Sequence, residues 1–218
     1  MAIEFDTGYS RVYYTWTYPA VISVSLWYVH LGDKVTVNRL FGMADDFEIK
    51  MNVSDHKFVN ELFKGTGTSS TAGYTAGTWM HIVCTANQSS GAGTMYINGA
   101  LDNSTTGHTA VPTNPNYLAV GGRYGATEGQ EAGGILEDVR IYNRILSAQE
   151  VKVLYDCDGS DRINDGLIDR WILPTIGGAG SVGVGGDNIS WDQGHDWLNV
   201  YSGDAFYWGG RKKYRCRA

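Results

Sequence analysis

The sequence predicts an all-β fold carrying one short helix, and three observations predict it. Glycine is abundant, at 29 of 218 residues, while aromatic residues reach 12% and charged residues only 18%. That composition suits many short strands joined by tight turns. Asn98-Gly99 stands between Met95-Tyr96-Ile97 and Ala100-Leu101, and both residues accept positive φ, so a two-residue primed hairpin turn is expected. Residues 135–142 alternate, with Leu136, Asp138, Arg140 and Tyr142 on one face and Ile135, Glu137, Val139 and Ile141 on the other.

Residues 3–5, 12–17 and 21–31 read as the opening strands. The third mixes β-branched and aromatic side chains with interleaved Ser23 and Ser25, as a central strand does. Gly32-Asp33-Lys34 turns the chain, after which 36–43 and 47–53 pair about Ala44-Asp45-Asp46. Residues 65–77 are rich in Gly, Ser, Thr and Ala, with Tyr74 the one aromatic, and form a surface loop that either connects or binds. The strand at 77–85 sets Met80, Ile82 and Cys84 on one face and Trp79 and Val83 on the other. Both faces are apolar, so the outer one needs a cover: the helix, the C-terminal segment or another copy. Strands return at 117–121 and 133–144. Ser147 and Glu150 then form a capping box that starts a helix over 147–155, with Val151, Leu154 and Tyr155 as its apolar stripe. A single stripe needs a sheet to dock on, and the helix is expected to plug a sheet edge.

These residues carry a resemblance. Gly77-Thr78-Trp79-Met80-His81, Tyr96-Ile97-Asn98-Gly99, Gly121, and Gly134-Ile135-Leu136-Glu137-Asp138-Val139-Arg140-Ile141-Tyr142-Asn143-Arg144 ahead of Ser147 and Glu150 are similar to the laminin G-like branch of the concanavalin A-like lectin/glucanase superfamily. Phe5-Asp6-Thr7-Gly8 and Ser25-Leu26-Trp27 resemble its opening strands, so residues 3–155 are covered. The resemblance implies a jelly-roll sandwich of two antiparallel sheets over residues 1–156. Residues 157–218 would be a C-terminal extension packing on the sandwich or on a neighbouring subunit. Within it, Gly166-Leu167-Ile168-Asp169-Arg170-Trp171-Ile172-Leu173, a glycine-rich loop and Asp187-Asn188-Ile189-Ser190 resemble segments that follow laminin G-like domains in tailed-phage virion proteins.

After a charged linker at 158–166 and a strand at 167–173, aromatic residues crowd together at Trp191, Trp197, Tyr201, Phe206, Tyr207 and Trp208. Aromatics at that density beside glycines, with little aliphatic mass, either cap the sandwich or finish by contacting something. Arg211, Lys213, Arg215 and Arg217 alternate with other residues, so an extended terminus presents a basic row. The candidate docking set is therefore Trp197, Tyr201, Tyr207, Trp208, Arg211, Lys213, Arg215 and Arg217. Net charge is −6, yet five of the 17 basic residues lie in the last eight positions, leaving an acidic body with a basic tail. Such a chain docks tail to body or copy to copy, and its overall charge argues against nucleic-acid binding. Met1-Ala2-Ile3-Glu4-Phe5-Asp6 enters the first strand without a signal-peptide run, and no apolar stretch is long enough to insert in a membrane.

The chemistry is sparse. Glucanases of this superfamily flank a glycosidic bond with carboxylates alternating along one strand, whereas Glu137-Asp138 are adjacent and point to opposite faces. The glycine runs 177–180 and 183–186 lack the helix a phosphate loop requires. His30, His56, His81, His108 and His195 are scattered without ligand spacing, and His81 reads as a structural strand residue. No cofactor is implied beyond a calcium ion at Asp45-Asp46, where further oxygen ligands would be needed. Cys84 reads as a buried apolar residue; Cys157 and Cys216 could pair, although free thiols suit a reducing compartment better.

The expected function is a non-enzymatic virion surface protein of a tailed phage, either a capsid decoration or fibre-associated, made in the host cytoplasm. Its partners would be other virion proteins or its own copies, and a host surface glycan. The alternative is a carbohydrate-binding lectin module, and after it a glycoside hydrolase.

Overall fold

The computed structural model describes residues 3–5, 11–15, 17–33, 37–44, 47–112, 117–122, 131–157, 161–171 and 199–201. In chain order these hold β1 (Ile3–Phe5), β2 (Arg11–Thr15), β3 (Val21–His30), β4 (Val37–Ala44), β5 (Phe47–Asn52), β6 (Phe58–Asn60) and β7 (Thr68–Ser69). Then come β8 (Trp79–Asn87), β9 (Ala92–Ile97), β10 (Ala100–Thr106), β11 (Tyr117–Val120), β12 (Gly134–Tyr142), α1 (Ala148–Cys157), β13 (Leu167–Trp171) and β14 (Asn199–Tyr201).

The strands make two antiparallel sheets, ordered β1-β12-β3-β8-β9-β10 with β13 also on β12, and β14-β2-β11-β4-β5-β6-β7. This is the jelly-roll sandwich the resemblance implies. The expected turn closes β9 on β10, with Asn98 at φ 51°, Gly99 at φ 78° and Ile97 opposite Ala100. Between the sheets lies one core. Alternate residues of β3 (Ile22, Val24, Leu26, Tyr28) and β8 (Met80, Ile82, Cys84, Ala86) meet Leu40, Met43, Phe47, Ile49 and Met51 of the facing sheet. Each of the Val, Leu, Ile, Phe and Met side chains among these contributes about 1.5–3 kcal/mol on burial.

The helix begins as the capping box requires. The Ser147 amide donates to Glu150 Oε2 at 2.8 Å, and the Glu150 amide donates to Ser147 Oγ at 3.3 Å. It does not plug an edge, however. Val151 and Leu154 pack with Val83 and Tyr142, and Tyr155 stacks 5.7 Å from Trp27, so α1 lies across the outer face of the first sheet. The sequence demanded a cover for Val83, and α1 with Ile163 and Leu167 supplies it. Ser23 pins the lead-in, its hydroxyl donating to the Arg144 carbonyl at 2.7 Å and accepting the Leu146 amide at 3.0 Å.

Three other expectations change. Strict alternation along β12 fails because Glu137 pairs with Trp27 and Arg140 with Ser25, which leaves two residues opposite Leu26. Asp138 sits at φ 48° in this bulge, and the parity flips: Leu136, Val139 and Ile141 all enter the core while Tyr142 faces α1. The 65–77 loop contains a strand, because β7 pairs with β6. Residues 161–166 are docked rather than loose, with the Tyr142 hydroxyl donating to the Ile163 carbonyl at 3.1 Å and the Asn143 amide to Gly166 at 2.8 Å.

Candidate functional site

Phe47, Ile49 and Met51 turn inward on β5, so Glu48 and Lys50 point to the other face of the second sheet. There they build a charged strip with side chains from the neighbouring strands. Glu48 accepts from Arg39 Nε at 2.7 Å and from Lys50 Nζ at 3.0 Å; Lys50 also donates to Glu61 at 2.7 Å, and Lys64 lies 3.0 Å from the second Glu61 oxygen. Glu48 has no solvent exposure, and burial pushes its carboxyl up against the pull of Arg39 and Lys50. Along the strip basic and acidic side chains alternate, in the order Arg39, Glu48, Lys50, Glu61 and Lys64.

A second buried network is organised by the β12 bulge. Asp138 accepts from Arg140 Nη2 at 2.7 Å and from Arg170 Nε at 2.8 Å, and Arg140 donates to both oxygens of Asp161 at 2.7 and 2.9 Å. Burial alone would raise the Asp138 carboxyl, but the two guanidinium groups outweigh it and hold it at about 2. Left-handed backbone is tolerated by aspartate, which lets the bulge aim this carboxylate at both arginines.

The histidines divide by role. His81 is buried, its Nε2 2.9 Å from Ser25 Oγ and its ring 4.9 Å from Trp27, as a structural strand residue should be. His108 Nδ1 donates to the Leu62 carbonyl at 2.6 Å, with Nε2 3.0 Å from Thr68 Oγ1, and burial lowers its pKa. A Cβ at Gly93 would lie 2.1 Å from His108 Nε2, so glycine is what lets this ring in. His30 and His56 are not scattered in space. Together with Asp33 they are the one group of three potential metal-ligating side chains among the described residues.

Of the predicted docking residues, Tyr201 ends β14, opposite Arg11. Trp197, Tyr207, Trp208, Arg211, Lys213, Arg215 and Arg217 lie outside the described residues, as do the calcium candidates Asp45 and Asp46. Cys84 is free and buried, which raises its thiol pKa, whereas Cys157 is disulfide-bonded, contrary to the expectation of free thiols. Sequence reasoning missed the charged strip and the Asp138 network. Glu48-x-Lys50 two apart on a strand was the one available local signal; the pairing with Arg39 and Glu61 depends on register.

Comparison with known proteins agrees with this architecture. The sandwich is similar to a native heptameric SAP-like pentraxin from Limulus polyphemus, with 15% identity, TM-score 0.60, and 77% of this chain covering 90% of that one. It is also similar to a candidate carbohydrate-binding protein from Bacteroides ovatus (14% identity, TM-score 0.60, 78% of this chain and 51% of that one). A third is the binding domain of botulinum neurotoxin DC in complex with SialylT (13%, 0.51, 71% and 42%). No curated protein matches by sequence. Residues 9–152 match the family described as the concanavalin A-like lectin/glucanases superfamily, in its laminin G-like branch, and the chain belongs to it.

Proposed function

We propose that the chain is a non-catalytic, glycan-binding module displayed on the surface of a tailed-phage particle. The observation that carries the non-catalytic part is the pairing of two buried carboxylates among the described residues, Glu48 and Asp138. A glycosidase needs two carboxyl groups facing a sugar across about 5–10 Å, one of them protonated. Glu48 has the raised pKa of a general acid, but both its oxygens already accept from Arg39 and Lys50, and no part of it reaches solvent. Asp138, held at about 2 between two arginines, cannot donate a proton at neutral pH.

Glycan recognition is supported by family membership and by fold neighbours that bear carbohydrate-related names. Display on a virion is supported by the resemblance of residues 166–173 and 187–190 to phage segments, and by the aromatic and basic terminus that would dock on other virion proteins or on copies of the chain. The test is a glycan array probed with the full chain, run with and without calcium, beside an assay for released reducing ends on each glycan bound. Retention without release is the expected result. Release of reducing ends would overturn the non-catalytic reading, and failure to co-sediment with tailed-phage particles would overturn the location.

A further inference from the structure

We propose that His30, Asp33 and His56 form a site for a divalent transition-metal ion, Zn2+ by preference, at one rim of the sandwich. It stands independently of glycan binding. His30 ends β3 in the first sheet, Asp33 follows three residues on, and His56 comes from the β5–β6 connection of the second sheet. Two imidazoles from opposite layers thus converge on one carboxylate. His30 Nε2 is 3.2 Å from Asp33 Oδ1, and His56 Nε2 is 3.0 and 3.1 Å from the two Asp33 oxygens. The three ligand atoms lie within 4.8 Å of one another. Metal–ligand bonds of about 2.0–2.2 Å place the donors of a tetrahedral site roughly 3.3 Å apart, so little movement is needed.

The surroundings of His30 are those of a ligand. Its Nδ1 is 3.2 Å from the Tyr28 hydroxyl, whose own hydrogen goes to the Ala132 carbonyl at 2.5 Å. The Tyr28 hydroxyl oxygen is thus placed to accept from Nδ1–H, and the ring also hydrogen-bonds the backbone of Gly133. Partners of this kind fix the orientation and tautomer of metal-bound imidazoles. His30 Nε2 and His56 Nε2 both face the Asp33 carboxylate, so a cation replacing their N–H protons would meet two imidazole nitrogens and an anionic oxygen. His56 holds its ring there from a backbone at φ 51°, a strained conformation for a non-glycine residue of the kind that collects at ligand clamps.

Donor chemistry selects the ion. Two nitrogens and one carboxylate suit Zn2+ and its borderline neighbours, whereas Ca2+ and Mg2+ take oxygen ligands. The side chains of His56 and Asp33 are 39% and 40% exposed, so a fourth position opens to solvent for water or an incoming group. Only the fold makes this set, because His30 and His56 lie 26 positions apart in the sequence.

The full chain, stripped with EDTA, is titrated with Zn2+ against a chromophoric chelator. One ion per chain is expected, with Asp33→Asn and His56→Asn each weakening binding at least tenfold and millimolar Ca2+ failing to compete. Both side chains are partly exposed and asparagine accepts the left-handed backbone at 56, so both variants keep the fold, as circular dichroism would verify. Co2+ in place of Zn2+ should give the visible bands of a four-coordinate ion, lost in His56→Asn. No saturable binding, affinity unchanged in both variants, or displacement by Ca2+ would each overturn the proposal.

Discussion

Asp138 shows how much one backbone angle can organise. At φ 48° its side chain meets Arg140 and Arg170, and its acidity rises as a result. A carboxyl depressed to about 2 when folded, against about 3.9 unfolded, stabilises the fold above pH 4, and that stability disappears as pH falls through 2. Asp138→Asn, which tolerates the same backbone, should cost about 2–3 kcal/mol at pH 7 and progressively less toward pH 2. Urea unfolding of both proteins at pH 7 and pH 2.5 measures the difference; an equal gap at both values would contradict it. Gly99 is a second sensitive position. Its φ of 78° and the 2.9 Å from a would-be Cβ to Tyr155 mean that Gly99→Ala pays both a backbone cost and a clash. A loss of about 1–2 kcal/mol is expected, read as a lower urea midpoint with unchanged slope.

For the elements, local rules were the legible ones. The Asn98-Gly99 turn and the Ser147-Glu150 cap each need only neighbours in sequence, and both form. Ser147→Ala should destabilise by about 1 kcal/mol. Glu150 is held at about 2, first by its hydrogen bonds from Arg144, so the cap should persist in acid until pH approaches that value; helix content followed by circular dichroism from pH 5 to 1.5 checks it. The β12 bulge was not legible. Alternation in Ile135–Tyr142 looks unbroken as a string of letters, and the flip arises only where Leu26 faces two residues instead of one. Nor was the docking of residues 161–166, since Arg140 reaches Asp161 across 21 positions and leaves no local trace.

At the scale of the molecule, the sequence carried the sandwich because hairpins, turns and a family pattern all pointed the same way. The rim cluster stayed hidden for the complementary reason: His30 ends a strand of one sheet while His56 lies in a connection between strands of the other, and spacing along the chain does not show which of these pieces meet. The same dependence on distant pieces governs the C-terminal side. A chain ending after Cys157 would lose β13 from the edge of β12 and leave Arg140 without Asp161. Such a chain should be cut faster by trypsin than the full one, and equal resistance would mean that residues beyond 157 contribute nothing to the sandwich. β12 is also the rail on which β1, β3 and β13 all pair, joining positions as far apart as Ile3 and Leu136. Closure must therefore wait until synthesis has passed Tyr142. Refolding on the order of seconds, with nascent chains leaning on chaperones meanwhile, is the tempo this connectivity imposes.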